Sequence, residues 1–320
     1  MIKRTSIFAA AFSILFLLSA CNDETPQETL LVPKTVKEDP SLPSIFINSR
    51  LLHAEAFGKA ADPLIICIHG GPGADYRYLL NAKDLVQHGY RVIFYDQTGS
   101  GLSQRFDQSY YDNLDIENIF ITELQGIIAK YRTNSDQKVI LLGHSWGAML
   151  ATAYAGKYPS EISGLAVFEP GGLEWDDIVT YVTNSQNPNE GGKHLEGDSH
   201  EVLDYNMALA ASTDNINTGD PGLQSEDFWR MGAVLQTAAF EHGEIEKPDF
   251  SMKIGQFTKP VFFGYGDNKA YPDSWAQKVS SVFKNKKIHK FPTGHSGMFT
   301  NEITWKNSTL PQLLNYFKSL

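Results

Sequence analysis

The chain has 320 residues and only two cysteines, Cys21 and Cys67, too few for a disulfide framework. Cys67 lies in the apolar run LIICIH and reads as an inert core residue rather than a nucleophile. Basic residues are also scarce, with 27 Lys and Arg against 37 Asp and Glu, for a formal charge of −10. That balance argues against a nucleic-acid partner. There is no HExxH and no pair of cysteines at metal-ligand spacing, so no metal is expected and no cofactor is assigned. No apolar run reaches the ~20 residues a membrane-spanning helix needs. No internal repeat is evident.

What is present begins with a processing pattern. Lys3 and Arg4 precede an apolar run from Ile7 to Leu18, followed by Leu-Ser-Ala-Cys at 18–21. A basic start, a short apolar run and small residues suit a secretory signal. The terminal cysteine makes the segment resemble a bacterial lipoprotein signal. That resemblance implies a signal peptide over 1–20, lipidation of Cys21, and a protein anchored to a membrane of the bacterial cell envelope through its N-terminal lipid. Residues 21–43 are polar and Pro-rich and read as a flexible tether.

From Ser44 the pattern alternates. LIICIH (64–69), RVIFYD (91–96), KVILLG (138–143) and ISGLAVFE (162–169) are continuous apolar runs, as central strands of a parallel sheet covered on both faces require. Helical patterns lie between them, the clearest placing Ile116, Ile119, Phe120, Leu124, Ile127, Ile128 and Tyr131 on one face. The expected fold class is α/β with a doubly wound sheet. The rhythm breaks over about 173–257, read as a cap inserted into a core made of 44–172 and 258–320.

Three stretches carry chemistry. Gly143-His144-Ser145-Trp146-Gly147 is a G-x-S-x-G between a strand and a helix, the setting of a nucleophile elbow, with Ser145 as nucleophile. His69-Gly70-Gly71-Pro72-Gly73 follows a strand and can aim a backbone N–H at the elbow. The expected oxyanion donors are the N–H groups of Gly71 and Trp146. His295, in PTGHSGM after the last strand, is the expected base. His69 and His144 are read as loop-ordering and packing residues.

With HGGPG (69–73), DQTGSGLS (96–103) and GHSWG (143–147), the chain resembles the α/β-hydrolase superfamily and, within it, the proline iminopeptidase branch. The resemblance implies the α/β-hydrolase fold with a helical cap, and a serine hydrolase that releases N-terminal residues from small peptides or amides. It also implies cap acids that hold the substrate's free amine, for which the candidates are Glu226, Glu241 and Glu244. Two positions depart from the branch: Thr98 where arginine is usual, and His144 where glycine is frequent. Alternative readings are an esterase or lactonase on the same residues, and a non-catalytic binding lipoprotein of the same fold.

The acid that orients His295 has two candidates. The superfamily usually places it after the strand corresponding to PVFFGYG, but Lys269 occupies that position and Asp267 comes two residues early. Glu169, at the end of ISGLAVFE, is the other supplier and is preferred, because some members of the superfamily draw their acid from that strand end.

Overall fold

The computed structural model describes residues 30–112, 115–185, 199–212, 217–220 and 227–320. Eight strands form one sheet: β1 (Ser44–Ile47), β2 (Arg50–Phe57), β3 (Leu64–Ile68), β4 (Arg91–Tyr95), β5 (Val139–His144), β6 (Gly164–Phe168), β7 (Val261–Gly266) and β8 (Lys286–Phe291). Their spatial order is β1-β2-β4-β3-β5-β6-β7-β8. The β1–β2 and β2–β4 pairs are antiparallel, and every pair from β4 to β8 is parallel.

The continuous apolar runs follow from burial on both faces. In β3, Leu64, Ile66 and Ile68 face one core while Ile65 and Cys67 face the other. The same alternation separates Leu141 from Ile140 and Leu142, and Leu165 and Val167 from Ala166 and Phe168. The first core packs helices Ile116–Tyr131 and Trp146–Lys157; the second packs the 3₁₀ segment Arg77–His88 and the C-terminal helix Leu310–Phe317. Burial pushes the Cys67 thiol up, away from the reactive thiolate. The outer strand β8 reads KKIHKF and is mostly exposed; its lysines oppose pairing with another sheet edge.

Between β6 and β7 the described residues form helices Trp175–Ser185, His200–Ala211 and Ala233–Glu246. A bridge between Glu174 and Asp249, with Phe250 N–H donating to the Leu173 carbonyl at 2.9 Å, closes the neck of this insertion. Residues 31–43, expected to belong to the tether, instead lie along the domain. Val32, Thr35 and Val36 are buried, and Arg230 donates to the Pro33 carbonyl at 3.0 Å. Their Pro-rich composition hid three short side chains that fill a groove.

Candidate active site

Strand register sets the site. His144 on β5 pairs with Phe168 on β6, and Phe168 pairs with Gly264 on β7. The next residues, Ser145 and Glu169, therefore emerge side by side on one rim of the sheet. Ser145 N–H donates to the Phe168 carbonyl at 2.9 Å, and Glu169 N–H to the Gly264 carbonyl at 2.8 Å.

Ser145 sits at φ 53°, ψ −122°, between β5 and helix Trp146–Lys157. A non-glycine residue held there is strained, which marks a site where surrounding packing dictates the backbone. The packing is visible at the two flanking glycines. A Cβ on Gly143 would strike the Gly147 carbonyl, and one on Gly147 would strike the Ile68 carbonyl. Glu169, at φ 43°, is another residue with positive φ, on the neighbouring strand end.

The Glu169 carboxylate is fully buried and has three donors around it. His295 Nδ1–H donates to Oε1 at 2.8 Å, Asn268 Nδ2–H donates to Oε1 at 2.9 Å, and Gly266 N–H donates to Oε2 at 2.7 Å. With Nδ1 donating to a carboxylate, the neutral His295 ring keeps its lone pair on Nε2. Burial opposes charging of His295, but the Glu169 carboxylate and its hydrogen bond, helped by Asp220, outweigh it and raise the pKa above the ordinary 6.5. Tyr181, from the insertion helix Trp175–Ser185, brings its hydroxyl to 3.1 Å from the same Nδ1.

Asp267 lies elsewhere. Its side chain is 68% exposed and pairs with Lys290 at 2.8 Å. Strand β7 runs through Gly266, Asp267 N–H donates to the Thr293 carbonyl at 2.6 Å, and the carboxylate on His295 is that of Glu169. Lys269 is exposed as well. The residue of this turn that reaches the site is Asn268, which sequence reasoning passed over.

The glycine loop is braced on both sides. His69 Nδ1–H donates to the Gly70 carbonyl at 2.8 Å, and Nε2 accepts from Gln97 N–H at 3.0 Å. A trans peptide points its N–H opposite its carbonyl, so this clamp aims the Gly71 N–H away from His69. Gln97 also donates to the His69 carbonyl at 2.9 Å and accepts from Trp146 Nε1–H at 3.0 Å. The DQTGSGLS loop thus joins the glycine loop to the elbow.

Two cavities meet at Ser145. The larger, about 270 Å³, includes Ser145, His295, Gly71, Asp220, Asp227 and Met231 in its lining. The smaller, about 50 Å³, lies among Trp146, Met149, Trp175, Tyr181, Val182 and Phe240. Asp220 accepts the Ser296 N–H at 3.0 Å, and His295 N–H donates to the Thr218 carbonyl at 3.0 Å, so the insertion holds the histidine loop. Burial raises the Asp220 pKa; the His295 charge and the Ser296 N–H oppose that.

Of the expected amine-binding acids, Glu241 is exposed and accepts from Gln108 at 3.0 Å, and Glu244 is exposed on the same helix. Neither lines either cavity at Ser145. The helical turn that buries Ala238 and Ala239 carries these acids outward. Glu226 and Cys21 lie outside the described residues. The acids that do line the larger cavity, Asp220 and Asp227, sit in an irregular part of the insertion, where no periodicity announces them.

Fold and comparison agree on the class. Residues 63–187 match the α/β hydrolase fold family. The chain belongs to that family. It is similar to the proline iminopeptidase of Thermoplasma volcanium, at 38% identity over 247 residues, 71% of this chain and 80% of that protein. Among solved structures, the proline iminopeptidase-related protein of Thermus thermophilus superposes with a TM-score of 0.62 at 18% identity, covering 87% of this chain and 98% of that one. An esterase from Exiguobacterium antarcticum gives 0.61 at 15% identity, covering 86% and 99%. At these identities the structural likeness speaks for the fold alone.

Proposed function

We propose that this protein is a serine hydrolase that works through an acyl-enzyme and releases N-terminal residues from small peptides or amides. The observation that carries the reading is the Glu169–His295 hydrogen bond set beside a strained Ser145 at a strand–helix elbow. In this mechanism Ser145 Oγ attacks the carbonyl carbon and its proton passes to His295 Nε2. Glu169 stabilises the imidazolium through Nδ1–H. The oxygen, now negative, accepts from the N–H groups of Gly71 and Trp146, the latter at a helix N-terminus where the dipole favours negative charge. The C–N bond then breaks, and His295 returns the proton to the leaving amine. Water, deprotonated by His295, attacks the ester and frees Ser145.

Two features support a peptidase over other hydrolases. The relative from Thermoplasma volcanium is named a proline iminopeptidase. Asp220 and Asp227 line the larger cavity, a better place to meet a substrate ammonium than the exposed Glu241 or Glu244. The small aromatic-walled cavity fits a compact apolar acyl side chain, and that same feature would serve an ester or lactone substrate.

An arylamide and ester panel on wild type and Ser145→Ala tests the reading. Turnover of N-terminally unblocked prolyl or alanyl arylamides, lost in Ser145→Ala and in N-blocked substrates, is the expected result. Turnover of p-nitrophenyl esters alone would assign the protein to the esterases. Anchoring through a lipidated Cys21 belongs to the same proposal: Cys21→Ala is expected to move the activity from the membrane fraction to the soluble one.

A further inference from the structure

His144 is the x of the G-x-S-x-G, a position where the resembled branch frequently has glycine, and its ring is not a packing filler alone. It is buried, and its Nε2 lies 2.9 Å from the backbone carbonyl of His295. A carbonyl only accepts, so Nε2 carries the hydrogen. Burial, with the adjacent His295, lowers the His144 pKa far below 6.5, so the ring is neutral and Nδ1 is an acceptor. The Tyr78 hydroxyl lies 2.8 Å from Nδ1 and therefore donates to it. The same hydroxyl accepts the N–H of Gly70 at 2.8 Å.

The result is one directed chain: Gly70 N–H to Tyr78 hydroxyl, Tyr78 O–H to His144 Nδ1, His144 Nε2–H to the His295 carbonyl. Its ends are the oxyanion loop and the loop of the proposed base. Its middle residue adjoins the proposed nucleophile. We propose that Tyr78 and His144 are positioning residues, a relay that fixes the oxyanion loop and the His295 loop at one distance across Ser145. The inference rests on the serine hydrolase reading.

Four observations favour a relay over three unrelated contacts. Gly70 packs tightly against both: a Cβ there would lie 3.0 Å from the Ser145 Cβ and 3.1 Å from the Tyr78 hydroxyl. The Gly70 N–H is engaged by Tyr78, and the Gly70 carbonyl by His69, so both polar groups of this residue are held while Gly71 lines the cavity. The His144 ring also packs on its two neighbours along the base's loop, with centroids 4.5 Å from His295 and 5.4 Å from Phe299. The segment that supplies Tyr78 has a second tie there, Asn81 Nδ2–H to the Phe299 carbonyl at 2.6 Å. In-line positioning matters because small displacements of reacting groups cost large factors in rate.

The test is a double-mutant cycle with Tyr78→Phe, His144→Ala and both together, reading kcat, KM, the rate of labelling by a fluorophosphonate probe, and thermal unfolding. Each single variant is expected to lower kcat and labelling by roughly 10–100-fold, since each leaves buried polar groups without partners. KM should stay within about twofold. The double variant is expected to be within about threefold of the worse single variant, because a chain broken once is already broken. His144→Gln, whose amide N–H can reach the His295 carbonyl, should recover part of the loss. Tyr78→Phe keeps the ring and carries the test if His144→Ala does not fold. The relay is overturned if Tyr78→Phe keeps kcat and labelling within twofold of wild type, or if the two effects multiply. Wild type that does not label, or Ser145→Ala that labels equally, overturns the serine hydrolase reading and the relay with it.

Discussion

Two strand ends on the same rim of the sheet carry carboxylates, and they have opposite fates. At the end of β6, Glu169 is fully buried, held in a left-handed backbone conformation and bound by three donors. At the end of β7, Asp267 is 68% exposed and pairs with Lys290. The chemistry of the two side chains is the same; the difference is where the backbone turns. Because β6 and β7 are parallel and in register, either end could deliver an acid to a histidine arriving from the loop after β8. The β7 turn supplies neutral donors instead: Gly266 N–H and the Asn268 amide hold the acid that β6 provides. A buried carboxylate needs such partners, since desolvation alone would favour its neutral form.

The comparison is sharpest if broken at Glu169. Glu169→Gln keeps the shape and removes the charge that steadies the imidazolium, and should lower kcat about 10³–10⁴-fold in steady-state turnover. If turnover survives that change and Asp267→Asn abolishes it, the assignment of the two strand ends is reversed. Moving the charge across the rim is the next test. In Glu169→Gln with Asn268→Asp, the carboxylate would stand on β7's turn within reach of the same cluster. Recovery of roughly 10-fold over Glu169→Gln alone is expected, because the pair exchanges charge without changing volume.

The pH dependence probes the same pair. As the proposed base, His295 would act only when neutral, and its pKa lies above the ordinary 6.5, so kcat/KM should rise with pH through a midpoint above 6.5. Asp220→Asn removes one of the two carboxylates that raise it and should move the midpoint down, with Glu169 still in place. The smallest effect is expected of Asp267→Asn. An exposed ion pair contributes about 0–1 kcal/mol, so its turnover should stay within about twofold of wild type and its melting temperature nearly unchanged.

Much of the site was legible because its parts are local. The elbow needs two glycines around a serine between a strand and a helix, and Gly143, Ser145 and Gly147 can be found in five consecutive letters. The central strands were legible because burial on both faces leaves unbroken apolar runs. Glu169 was one of two candidates, and periodicity could not choose between them: the choice depends on β7 extending to Gly266, a boundary that no residue in GYGDNK announces. Glu241 and Glu244, expected to hold a substrate amine, lie off both cavities at Ser145, because a helix can carry acids on its outer face for solvation alone. Asp220 and Asp227, which line the cavity, lie outside the described helices, where Asp220 is held by the Ser296 N–H and the backbone after Asp227 by the Asp75 carboxylate.

By itself the sequence determined the doubly wound sheet, the strand–helix elbow at Ser145 and the glycine loop, since each rests on steric and burial rules that act over short stretches of chain. Only the tertiary structure decided which carboxylate meets His295, which acids of the insertion line the cavity at Ser145, and that His144 joins two loops through Tyr78. Those contacts link residues from 66 to 151 positions apart, and strand register together with burial, rather than any local pattern, brings them within hydrogen-bonding distance.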